Sequence, residues 1–510
     1  MNLWQSVEPS QLISLSILIP FIGALLVVAT GKNPNLREAV TLITATILFS
    51  IVLAITDYTF QGVELRLDVA ELFPGLSISF AVEPLGVLFA LVASFLWIIT
   101  SIYAIGYMRG HNEENQTRFF CCFALAISSV MAICFSGNLL TLFIFYEVLT
   151  LSTYPLVTHA GNDAAKQGGR VYLGILLSTS IAFFLFAVLG TYSLTGTLDF
   201  KAGGIFDDSH SKVILSVLLV LFCYGIGKAA IMPFHRWLPA AMVAPTPVSA
   251  LLHAVAVVKA GVFCILKVVI YIFGLDTLKE LATTDMMLYI GAATILLSSC
   301  IAMTKDNLKA RLAYSTISQL SYIVVGALLA SSIASAGAAL HIATHAVGKI
   351  TLFFCAGAIM VASHKKNISD MGGLGRQMPI TMAAFTIGAI SIIGLPPMAG
   401  TWSKWYLVVG ALEADKLFIV ATLMISSLLN IAYLLPIPIK AFFHTQPGES
   451  KPWTWAETKE APLLMLIALS TTSVCCLALF FYPQPLIDLI NLIPGVSTNA
   501  EITSNLKGEG

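Results

Sequence analysis

The sequence predicts an all-α integral membrane protein of about fourteen transmembrane helices, with two inverted five-helix repeats that each contain a broken helix. Three observations carry this. Of 510 residues, 57% are hydrophobic and 11% charged, far from the balance of a soluble enzyme of this length. Apolar runs of roughly 20 residues, enough to cross a hydrocarbon core of about 30 Å as helix, recur along the whole chain. Proline breaks recur in two of these runs, at Pro233 and at Pro396 and Pro397.

The runs fall near 11–30, 39–57, 84–108, 119–136, 139–159, 170–195, 213–234, 248–274, 286–304, 310–330, 336–362, 379–410, 416–440 and 462–483. MNLWQSVEPSQ lacks the basic start of a signal peptide, so the first run is expected to be a retained helix. Spans 4–8 and 9–13 are sets of five, and the break falls in the fourth of each. Five is odd, so the second set enters the bilayer in the opposite direction. The expected division is three helices over 1–115, repeats over 116–275 and 285–445, and a last helix with a polar tail over 446–510. Odd-numbered connections hold sixteen Lys and Arg, and even-numbered ones five: Arg66, Lys201, Lys212, Lys279 and Lys416. That bias puts both termini on the periplasmic side of a bacterial cytoplasmic membrane.

The nine cysteines stand singly or as neighbours, with no C-x-x-C and no histidine at ligand spacing. They read as buried structural thiols, and no metal is expected. No glycine-rich nucleotide loop and no basic tract occurs, so neither a nucleotide cofactor nor a nucleic-acid partner is expected. Energy must then come from an ion gradient or from another polypeptide.

Charges inside the spans carry the functional reading, because each costs several kcal/mol at bilayer depth and such residues face a bundle interior or a water path. Glu147 lies some eight residues from either end of its span, too deep for a short side chain to reach water. A neutral, hydrogen-bonded core glutamate is the bland alternative. A lysine moving toward or away from Glu147 would make it release or take up a proton. Lys228 precedes Pro233 by five residues, and a helix broken at depth lines a cavity; a fixed ion pair with Glu147 is its bland alternative. Lys259 follows His253 by six residues, about 600° of helical turn, so the two point to different sides. Lys267 is near enough to the outer end to snorkel.

In HIATHAVGK, His341, His345 and Lys349 advance about 6 Å per step and drift only about 40°, giving one face a titratable ladder about 12 Å long. A lone buried histidine is usually a satisfied core residue. Three groups in register favour a proton or hydrated-ion relay. Lys404 follows the second break, in SIIGLPPMAGTWSKW.

The segments FYEVLTLSTYPLVTH, GKAAIMPFHRWLPAAMVAPTPVSALLHAVAVVKAGVF, KARLAYSTISQLSYIVVGA, HIATHAVGKITLFFCAGAIM and MGGLGRQMPITMAAFTIGAISIIGLPPMAGTWSKW resemble the antiporter-like subunits shared by Mrp-type cation/proton antiporters, respiratory complex I and membrane-bound hydrogenases. The wording LSY, GGLGRQMP and GTWSKWYL is most like the D-type Mrp subunit. The resemblance, from about 80 to 440, implies two half-channels joined by charged residues at mid-membrane. It matches Glu147 to the span 5 glutamate, Lys228 to its span 7 lysine, and Lys259 or His253 to the span 8 connection. His341, His345 and Lys349 match the span 11 relay, and Lys404 the terminal span 12 lysine. Glu83 stands near the place where many relatives have an aspartate, and reads as interfacial.

The function implied is proton movement coupled to export of sodium or another monovalent cation, within a complex of other membrane subunits in the lipid bilayer. Two alternatives share the relay or dispense with it. One is a proton-pumping module of an NADH dehydrogenase or hydrogenase, and the other a membrane partner of a soluble enzyme of inorganic-carbon uptake.

Overall fold

The computed structural model describes residues 4, 6–73, 76–207, 209–444 and 458–499, except the side chains of Leu72, Phe73, Leu252 and His253. Residues 500–510 of the expected polar tail therefore lie outside the described residues. Within the described residues, fourteen helical segments account for the apolar runs. Eleven are long and apolar enough to cross a membrane: spans 1 (Pro9–Ala29), 2 (Pro34–Phe60), 3 (Pro84–Gly110), 4 (Gln116–Cys134), 5 (Leu139–Val157), 6 (Asp163–Thr195), 8 (Thr246–Phe273), 9 (Ala282–Thr304), 11 (Ser332–Ser363), 13 (Leu417–Phe443) and 14 (Leu463–Phe481). Span 10 (Leu308–Leu328) is equally long, but Lys309, Arg311 and its hydroxyl residues lower its hydropathy. Spans 7 and 12 are interrupted.

Span 7 runs Lys212–Gly225, then passes through the 3-10 turn Gly227–Ala229 and irregular turns to Trp237–Ala240. The sequence reading put the break after Lys228, at Pro233. The helix ends instead at Gly225, three residues before the lysine. Pro233 removes the bond to the Ala229 carbonyl and disfavours helix at Met232. Gly225 and Gly227 are poor helix formers, so the unwinding spreads back to them. The Trp237 indole donates to the Gly227 carbonyl at 2.9 Å and satisfies one freed acceptor. Span 12 divides as expected, into Pro379–Ile393 and Gly400–Glu413.

Span 8 is buried from end to end, and spans 3 and 11 nearly so. These three form the centre. Peripheral spans turn large apolar side chains outward, among them Leu25, Phe186 and Val474, as a surface meeting lipid tails requires. Asparagine starts four of the helices: Asn33, Asn138, Asn162 and Asn307 each accept a backbone N–H of the first turn. The second connection holds a hairpin that the apolar runs do not reveal, β1 (Arg66–Phe73) and β2 (Leu76–Ala81). Its second strand meets the start of span 5, where Ala81 N–H donates to Phe135 O at 2.7 Å and Gly137 N–H to Ser79 O at 2.8 Å.

Candidate functional site

The interrupted helices and the central trio bring the expected residues into two groups. In the first, Lys228 is fully buried on the 3-10 turn of span 7. Its ammonium donates to the Tyr146 carbonyl at 2.8 Å and to Thr150 Oγ1 at 2.6 Å, and stands 3.1 Å from the Tyr146 ring centroid. All three contacts belong to span 5, the helix that carries Glu147. Glu147 itself is within electrostatic range of Lys228, yet the two form no ion pair, and among the described residues neither buried carboxylate oxygen has a hydrogen-bond partner. The pairing expected from the resemblance is therefore open in this conformation. Lys228 is held by neutral oxygens and a ring face instead of a carboxylate, a geometry that stabilises a desolvated cation. Span 8 backs this turn at Gly261, where an added Cβ would collide with the Ala229 nitrogen.

The second group is a row. Lys259 Nζ lies 2.7 Å from His345 Nδ1, the His345 and His341 rings stack at 5.5 Å, Tyr322 stacks on His341 at 5.7 Å, and Lys404 Nζ sits 4.9 Å from the Tyr322 centroid. The row crosses from span 8 through spans 11 and 10 to span 12. Lys404 donates to the Ile393 carbonyl at 2.8 Å, so it caps the acceptor freed where span 12 breaks. Every member is buried, Lys404 being the least so at 9% exposed, and no carboxylate pairs with any of them among the described residues.

The ladder read from HIATHAVGK is present but divides. His341 bonds Ser403 at 2.8 Å and Gln319 at 3.1 Å, and His345 meets Lys259. Lys349 instead donates to Ser315 at 2.7 Å, and Tyr433 donates to the same hydroxyl at 2.9 Å. Lys349 thus heads a branch toward spans 10 and 13. His253 lies in a π-helical turn, Leu252–Ala256, and its side chain is outside the described residues. Lys267 does not snorkel: it is fully buried and 3.2 Å from Glu83. The sequence reading missed the neutral partners, Tyr322, Gln319, Ser403, Ser315 and Tyr433. Serine hydroxyls in apolar helices normally bond their own backbone, so Ser403 and Ser315 do not stand out, whereas Gln319, a mid-span amide, is a signal that the sequence did offer.

Chemically, the row sets groups that bind and release protons side by side, joined by one hydrogen bond between Lys259 and His345 and by ring contacts beyond it. An imidazole accepts a proton on one nitrogen and releases it from the other, and His341 has a hydrogen-bonding partner at each nitrogen, Ser403 and Gln319. Among the described residues, His345 Nε2 and Gln319 Nε2 are buried without hydrogen-bond partners, which leaves hydrogen-bonding capacity beside the row. The break beside Lys404 depends on close backbone approach: at Gly400 an added Cβ would collide with the Ser391 carbonyl oxygen. Gly400→Ala is expected to displace the second half of span 12 and reduce the assembled protein severalfold, measured as membrane yield. Wild-type yield would show that the break tolerates the shift.

The family described as "NADH:quinone oxidoreductase/Mrp antiporter, TM" matches residues 136–430, which hold every residue of both groups. The chain belongs to this family. A second match, "NADH-Ubiquinone oxidoreductase (complex I), chain 5 N-terminus", covers residues 74–120. Among antiporter-type relatives, NADH-quinone oxidoreductase subunit N of Desulforudis audaxviator is 33% identical over 79% of this chain and 80% of its own length. A probable K(+)/H(+) antiporter polypeptide of Rhizobium meliloti is 31% identical over 90% of this chain, but the match spans only 46% of that longer relative. A chain in the structure of the Mrp complex from Dietzia sp. DQ12-45-1b shares the fold with a TM-score of 0.82 at 23% identity, covering 97% of this chain and 98% of that one. A chain of the membrane-bound sulfane sulfur reductase, an archaeal respiratory complex, also scores 0.82, at 22% identity over 94% and 96%.

Proposed function

We propose that this chain is a proton-translocating member of a multisubunit Mrp-type antiporter, resembling its D-type component. In this reading, proton movement through the mid-membrane groups is coupled to export of a monovalent cation, sodium being the first candidate. The observation that carries it is the row Lys259, His345, His341, Tyr322 and Lys404, which crosses four spans with no carboxylate paired to it among the described residues. A static core would gain nothing from burying basic groups in this way. The two repeats, 116–275 and 285–445, serve as half-channels. Glu147 and Lys228 act in the first, where the open pair is one state of an alternation in which Lys228 moves toward and away from the carboxylate. The basic connections face the bacterial cytoplasm.

A second reading, a pump module of a redox-driven complex, is favoured by the NADH-quinone oxidoreductase relative, whose length this chain covers more fully than that of the K(+)/H(+) antiporter relative. Co-purification from gently solubilised membranes, with mass spectrometry of every companion, separates the two. Small hydrophobic subunits and sodium-dependent proton movement in vesicles are expected. Iron–sulfur or flavin subunits would transfer the chain to the redox-driven class.

A further inference from the structure

Outside the two groups, Lys267 makes a charged contact with Glu83. Lys267 lies on span 8, eight residues beyond Lys259, and is fully buried. Its ammonium donates to the Ser136 carbonyl at 2.6 Å, lies 4.3 Å from the Phe200 ring centroid, and reaches Glu83 Oε2 at 3.2 Å. Glu83 precedes span 3, where it does not cap its own helix. The junction of β2 with Phe135 and Gly137 instead holds it over Lys267. The Glu83 side chain is 14% exposed although its Oε2 is buried, so the pair lies just beneath the hairpin face, opposite the basic connections.

Two features distinguish this contact from an ion pair that merely fastens the hairpin. A buried pair is stabilising only when its remaining hydrogen-bonding capacity is met. Here Glu83 Oε2 has charge contact without hydrogen-bond geometry, and the Tyr271 hydroxyl, one turn along span 8, is buried with no partner although it senses the Glu83 charge. Toward the membrane centre, Cys264 lies within electrostatic range of both Lys267 and Lys228, and Cys134 of Lys267. The groups facing the pair are thus Tyr271 and Cys264 on span 8 and Cys134 at the end of span 4. None offers a second fixed charge.

We propose that Glu83 and Lys267 form the proton-exchange site of the first half-channel at the hairpin face, a role that rests on the proton-translocating reading above. A proton arriving from bulk water binds the Glu83 carboxylate and neutralises it. The unbalanced Lys267 charge then opposes a second positive charge at Lys228, so loading at one end is sensed at the other.

The test uses the intact complex reconstituted in vesicles, with proton movement followed by a trapped pH dye and normalised to assembled complex. Glu83→Gln is expected to assemble normally and to move protons about a hundredfold more slowly, and Glu83→Asp to keep most of the rate. A wild-type rate in Glu83→Gln, or a reduced yield with a wild-type rate per complex, would overturn the proposal. If Glu83→Gln fails to assemble, the double variant Glu83→Gln with Lys267→Met leaves no unpaired charge, and a wild-type rate in it has the same meaning. A wild-type complex that moves no protons would remove the functional reading and this site together; one that does, beside an equally active Glu83→Gln, removes the site alone.

Discussion

Replacing Glu147 with glutamine is expected to lower ion transport by about a hundredfold or more, the scale on which removing a positioned proton-transfer group acts, while the complex assembles at its normal level. The geometry separates the two outcomes. Neither carboxylate oxygen accepts a hydrogen bond, so the isosteric amide breaks none. Lys228 is held by the Tyr146 carbonyl and Thr150, and its place does not require the Glu147 charge. On the proposed alternation, what glutamine removes is the ability to bind and release a proton, and the counter-charge toward which Lys228 would move. Transport by reconstituted vesicles, set against complex yield, checks this. Retained transport would sink the relay reading of the first half-channel, whereas loss of assembly would make Glu147 a structural residue.

The fold was legible because bilayer physics leaves few choices. Each crossing needs its own apolar run, and Pro233, Pro396 and Pro397 mark the two spans that break. The charged members of the site were legible for the related reason that Lys228, Lys259, Lys349 and Lys404 are anomalies in such runs. Their partners were not. Lys228 rests on a backbone carbonyl, which no side-chain pattern can announce. Tyr322, which bridges His341 and Lys404, sits in a helix rich in serine and threonine and looks like its neighbours. Glu83 and Lys267 are far apart in sequence, and one reads as interfacial while the other looks able to reach water. Only the hairpin junction with Phe135 and Gly137 brings them together. The π-helical turns of span 8, Leu252–Ala256 and Val269–Phe273, also defeat register arguments built on 3.6 residues per turn. The angle inferred between His253 and Lys259 assumed a regular helix.

Lys259→Met is expected to lower transport by about two orders of magnitude with little change in stability, and the two numbers together define the residue's role. Removing the ammonium relieves the several kcal/mol that a charge costs at bilayer depth. It also leaves His345 Nδ1 without its 2.7 Å partner, which costs about 1–3 kcal/mol. These terms nearly offset, so thermal unfolding of the purified complex should shift little, whereas a core residue of the same burial would lose stability first and transport only as a consequence. Lys259→Arg separates charge from proton exchange. Guanidinium keeps the positive charge but does not deprotonate in a protein. If Lys259 passes protons to His345, arginine should fail as methionine does. If arginine transports normally, Lys259 acts as a fixed charge that sets the field at the histidines, and the moving proton must enter the row at His345 or beyond.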